Sequence, residues 1–218
     1  MPTSTTLGYD DLPDLLTRLD GDEKHDWAAL STLDVLWVLY DRVLRVAPET
    51  AGDPDRDRFL LSKGHGPAAY YAVLAAKGFI PLETLETFGG FASPLGNHPD
   101  HTLIDGVEIS SGSLGHGLPT AVGRALALHG DQRVVCLVGD AELEEGSNWE
   151  AVQLAGRLDC LSAQLRAVER HQDLDASVRR PLAQPVRRHR EHRHRCVAQH
   201  RVRDAAVDEA SEAAASVG

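Results

Sequence analysis

The run Arg133-Val134-Val135-Cys136-Leu137-Val138-Gly139-Asp140 constrains the architecture first. An apolar block that ends abruptly in Gly-Asp reads as a buried strand carrying a carboxylate to the carboxyl edge of a sheet. Open α/β sheets bind their ligands at that edge. A hard cation such as Mg²⁺ takes oxygen ligands and commonly bridges a carboxylate to phosphate groups. The chain is thus suited to hold a metal–diphosphate, although an Asp such as Asp140 after a strand often just caps the next helix.

The surrounding pattern alternates strands and helices, which implies a parallel sheet flanked by helices, an α/β fold. Leu12, Leu15, Leu16 and Leu19 suit a short helix. The apolar residues from Leu30 to Leu44 predict a mostly buried helix stopped by Pro48. Residues 53–58 read as a charged turn and 59–62 as a short strand. Gly64-His65-Gly66-Pro67 opens a helix to about Lys77, with Gly78 as its cap. Residues 94–105 are loop. The glycine-rich segment 110–117 leads into a helix to about His129, and a further helix spans 145–158. After about residue 162 the periodicity is lost and no strand is predicted. This divides the chain into an α/β domain, 1–162, and an Arg/His/Ala-rich tail, 163–218, expected to be disordered or, near its end, weakly helical.

Net charge decides what the chain does not bind. At −11 it argues against nucleic acid or an anionic membrane as partner. No apolar run approaches bilayer length, and the polar, acidic N-terminus is not a signal peptide. Cys136, Cys160 and Cys196 are widely spaced, which suggests reduced thiols and a cytoplasmic setting.

Glycine-rich turns before helices let backbone N–H groups approach an anion. There are two, at 64–66 and 112–117; either alone is equally an ordinary tight turn. Together with Asp140 they form an ordered set: Leu61-Ser62-Lys63-Gly64-His65-Gly66, Gly96-Asn97-His98-Pro99, Gly106-Val107-Glu108 with Gly112-Ser113-Leu114-Gly115-His116-Gly117, and Gly139-Asp140-Ala141-Glu142-Leu143-Glu144-Glu145-Gly146. This set resembles the N-terminal, diphosphate-binding domain of transketolases, and most of all the stand-alone N-terminal subunit of split transketolases.

The resemblance implies a thiamine diphosphate and Mg²⁺ enzyme that moves a two-carbon ketol unit between sugar phosphates, the cofactor serving as electron sink. By the same resemblance Gly112, Ser113 and Leu114 lie along the cofactor, and Gly139, Asp140 and Ala141 hold its diphosphate and metal. His65 stands near the diphosphate and the reacting centre, and His98 contacts the donor hydroxyls. His25 falls where the family has another substrate-site histidine, though set in Lys24-His25-Asp26-Trp27 rather than Gly-His-Pro-Gly. Glu145 matches a glutamate at the subunit contact. The implied partner is a C-terminal subunit, in a dimer of heterodimers.

Two departures stand out. Ala141 replaces a family glycine, so a methyl group could crowd the phosphate or demand an unsuitable φ angle. The family motif also closes with a strand ending in Asn about thirty residues on, whereas no Asn follows Asn148 here. A reading-frame shift near residue 163 would produce such a tail. It would cost the sheet at least its next strand and could take one neighbour from 133–138. The alternatives are an inactive remnant, another thiamine diphosphate enzyme component such as deoxyxylulose-phosphate synthase, and an interaction module whose arginines bind an acidic partner.

Overall fold

The computed structural model describes residues 7–19, 26–128, 131–158 and 165–167, without the side chains of 26–29 and 165–167. At its centre is β2, Val134–Val138, buried at every position. β1, Arg58–Leu61, pairs with it in parallel, Arg58 opposite Val134 and Leu61 opposite Leu137.

Side chains alternate across a strand, and here both faces are covered. Phe59, Leu61, Val135 and Leu137 join a core with α1 (Leu12–Thr17), α2 (Asp26–Val38) and α3 (Ala68–Ala76). Leu60, Val134, Cys136 and Val138 face the other way, against α4 (Gly117–Ala127) and α5 (Gly146–Arg157). The continuous apolar run of β2 follows from this double cover. α3 is buried along Ala69–Ala75, as expected of a helix apolar all round. It ends where Gly78 takes φ +82°, open to glycine at little steric cost. α4 instead buries one stripe, Leu118, Ala121 and Val122, at helical spacing.

Two expectations are corrected. The helix expected to run to Pro48 leaves α geometry after Val38 and finishes as a π turn, Leu39–Val43. A third strand, β3 (Leu165–Ala167), also exists, where none was expected after residue 162. It pairs in parallel with β2, Cys136 opposite Leu165 and Val138 opposite Ala167, so β2 has a neighbour on each side. Three residues with a central arginine show no periodicity to read; the ladder of β2 supplies the backbone partners instead. The rest of the tail, with the expectation of disorder, lies outside the described residues.

Residues 53–58 are more than a charged turn. The inaccessible Asp57 carboxylate accepts the backbone N–H of Arg45 and of Arg133, each at 2.9 Å, and both guanidinium groups. This ties the amino ends of β1 and β2 to the chain after the π turn. Burial pushes the Asp57 carboxyl up, but the hydrogen bonds from Arg45 and then Arg133 outweigh it and hold its pKa at about 2. Beside it, buried Glu108 pairs with Arg56, and with Arg124 at 2.6 Å.

Candidate diphosphate site at the carboxyl edge of the sheet

The register that sets Leu61 opposite Leu137 also sets the loops after β1 and β2 side by side. The Ser62 N–H continues the ladder one residue further, to the Leu137 carbonyl at 2.9 Å. Lys63 is buried, with its stem packed on Gly139: a Cβ added to Gly139 would lie 3.2 Å from Lys63 Cγ. Gly139 and Asp140 therefore adjoin the Ser62-Lys63-Gly64-His65 loop.

The glycine-rich loop closes on the same point. The Gly117 N–H donates to Ser62 Oγ at 3.1 Å, and the Gly115 carbonyl accepts the Ser147 hydroxyl at 2.8 Å. Gly115 has φ +77°, and a Cβ there would lie 2.5 Å from Ser147 Oγ and 2.7 Å from Glu145 Cβ. Gly64 packs on Ser111, whose Oγ would be 2.3 Å from an added Cβ. At Gly117 the clash would be with Ser62, 2.3 Å to Cβ and 2.6 Å to Cα. Gly117→Ala is thus expected to cost about 1–3 kcal/mol by overpacking against backbone, read as a lower urea midpoint with secondary structure retained by circular dichroism.

His98 reaches this cluster from another direction. Tyr71 on α3 donates its hydroxyl to the Gly96 carbonyl at 2.8 Å, and the buried Leu95 and Pro99 bracket the loop. The exposed His98 ring then lies over Gly112, with Cδ2 3.5 Å from where a Cβ would be. His65 is half-buried in the loop after β1. The structure so gathers His98, the 112–114 loop, Gly139 and Asp140 at one edge, with the His65 loop beside them. Gly112 and Ser113 are exposed and Leu114 half-buried, leaving that loop's backbone accessible. His25 lies outside the described residues.

Ala141 causes no backbone difficulty. It opens a 3₁₀ turn, Ala141–Glu144, after Asp140 at φ −58° and ψ −46°, so the expected demand for a glycine φ is corrected. Its side chain is exposed at the mouth of the site.

The residue that sequence reasoning missed is Glu142. Its fully buried carboxylate accepts the Ser62 hydroxyl at 2.6 Å, the Gly115 N–H at 2.9 Å and the Gly139 N–H at 2.8 Å. In the sequence it is one glutamate among three, and such a cluster reads as a solvated face.

Two features fit a metal–diphosphate. Among the described residues the half-buried Asp140 carboxylate has no hydrogen-bond or ion-pair partner, and the buried Ser111 Oγ on the Gly64 wall has none either. Among the described residues no group of three or more His, Cys, Asp or Glu side chains could hold a metal. A cation here would combine Asp140 with phosphate oxygens, the usual mode of Mg²⁺.

The profile of the family described as "Transketolase, thiamine diphosphate binding domain" matches residues 19–166. The chain belongs to this transketolase family. Among its relatives, "Ferredoxin fas2" of Rhodococcoides fascians is 59% identical over 157 residues, covering 70% of this chain and 52% of that protein. The "6-deoxy-6-sulfo-D-fructose transketolase subunit SqwG" of Clostridium sp. (strain MSTE9) is 43% identical over 144 residues, 64% of this chain and 52% of that protein. The chain spans about half the length of these curated relatives. A transketolase mutant from Pichia stipitis superposes with a TM-score of 0.60 at 26% identity, over 77% of this chain and 28% of that one. No helix of the described residues is long and apolar enough to cross a membrane.

Proposed function

We propose that this chain is the cofactor-holding N-terminal subunit of a cytoplasmic, thiamine diphosphate- and Mg²⁺-dependent transketolase. It would transfer a two-carbon ketol unit between sugar phosphates, as in the pentose phosphate pathway, together with a separate C-terminal subunit in a dimer of heterodimers. The observation that carries this reading is the Asp140 carboxylate, without a partner among the described residues, beside the glycine-rich loop at the carboxyl edge of the sheet. The SqwG relative, named as a transketolase subunit, supports the split arrangement.

In this reading Asp140 holds Mg²⁺, and the backbone of 112–114 and of Gly139 and Ala141 faces the cofactor. Thiamine diphosphate, when bound, would supply the nucleophilic carbon and the electron sink. The protein's own task is placement and proton movement. His65 and His98 are assigned to the mouth of the site, where an imidazole can exchange protons with sugar hydroxyls. His25 is assigned the same role on the family pattern. The α/β unit of 1–162, extended by β3, is the cofactor-binding part.

One observation favours a second reading, an inactive remnant: the sequence has no Asn after Asn148 to complete the metal shell. Calorimetry of thiamine diphosphate with Mg²⁺ into the full chain, alone and with a C-terminal transketolase subunit, separates the two. Mg²⁺-dependent binding with the partner supports the working subunit. No binding in either mixture, from a folded chain, supports the remnant. Ala141→Gly is expected to tighten that binding several-fold by clearing the methyl group from the phosphate's approach; a weaker affinity would count against the assigned position of the diphosphate.

A further inference from the structure

We infer that Glu142 is the positioning residue of the diphosphate cradle, a carboxylate that fastens its three separate walls to one another. This rests on the cofactor reading above.

Three chain segments far apart in sequence end on this one side chain. Ser62 comes from the loop after β1, Gly115 from the glycine-rich loop and Gly139 from the end of β2. Ser62 is itself a relay, since its Oγ accepts the Gly117 N–H while its proton goes to Glu142. Glu142 thus fixes both ends of the 115–117 segment, one directly and one through Ser62. Its backbone is held as well: its carbonyl accepts the Asn148 side-chain amide, and its N–H donates to the Gly139 carbonyl at 3.2 Å. The same 3₁₀ turn presents Asp140, whose carbonyl accepts the Leu143 N–H at 3.0 Å. One residue therefore sets the glycine-rich loop and the aspartate carrier relative to each other.

The chemistry requires a carboxylate. Oε1 receives two donors and Oε2 one, and an ionised carboxylate is acceptor-only at both oxygens. A glutamine has the same shape but one NH₂ group. If its oxygen faces Ser62 and Gly115, its NH₂ meets the Gly139 N–H. If it is flipped, the NH₂ meets two donors. Either way a buried donor is left without an acceptor, and such a group is costly inside a protein. Glu142 is fully buried, so water cannot replace the lost acceptor.

The test compares Glu142→Gln and Ser62→Ala with wild type in the full chain. Amide hydrogen exchange is followed at residues 115–117 and in β2, alongside calorimetry of thiamine diphosphate with Mg²⁺. In E142Q, exchange at 115–117 is expected to accelerate at least tenfold while β2 stays protected, and the affinity to fall at least tenfold. S62A, which removes one donor and the relay to Gly117, should move both readouts in the same direction by less. It also supplies the answer should E142Q fail to fold. Wild-type exchange at 115–117 in both folded variants would overturn the inference, as would accelerated exchange with unchanged affinity. If wild type takes up no thiamine diphosphate even with a C-terminal transketolase subunit present, the cofactor reading fails, and the tether is decided by exchange alone.

Discussion

Replacing Asp57 by alanine is expected to lower stability by about 3–5 kcal/mol, the range seen when one partner of a buried ion pair is removed. The Asp57 side chain is inaccessible and receives two backbone N–H groups as well as two guanidinium groups. Arg45 keeps Asp131 at 2.7 Å, so the loss falls on Arg133 and on the two N–H donors. Urea denaturation near neutrality measures it. The effect also has a pH signature. The folded Asp57 carboxyl titrates at about 2, below its ordinary 3.8, so its contribution is present above pH 4 and disappears as the pH falls through 2. The stability gap between wild type and variant should narrow steadily over that interval. A constant gap would mean that Asp57 acts through packing instead of charge.

The second large effect is on binding. Asp140→Asn keeps the shape of the side chain but removes its charge, and is expected to weaken Mg²⁺-dependent uptake of thiamine diphosphate by about 100-fold or more. Even outer-shell partners of metal ligands cost 10–100-fold, and a direct ligand should sit at the top of that range or beyond it. Because Asp140 has no partner among the described residues, the fold should hardly register the change, with a shift within about 0.5 kcal/mol. Calorimetry and thermal melting on the same preparation give both numbers. An intact affinity would show that another group carries the metal.

The sequence makes some of this legible and hides the rest for identifiable reasons. β2 and the helices around it are readable because a strand covered on both faces must be apolar throughout, and the turns need glycine where an added Cβ would lie under 3 Å from a neighbouring segment. Asp140 and the 112–117 loop stand out for the same reason. Glu142 does not, because its role exists only once two distant donors, Ser62 and Gly115, have converged on it beside the local Gly139 N–H. Asp57 hides in a charged turn, since nothing local marks one carboxylate there as inaccessible. β3 escapes because an edge strand of three residues draws on its neighbour's ladder and needs no pattern of its own.

The two carboxylates that organise this domain sit at opposite ends of the same pair of strands, Asp57 just before β1 and Glu142 beyond the end of β2. The five residues of β2 at about 3.3 Å each put roughly 16 Å between them. At that separation changes combine additively to within about 0.5 kcal/mol. One pole anchors the domain and the other serves the ligand, and genetic drift can act on each alone. A lineage can therefore change one pole without altering what the other contributes to the fold.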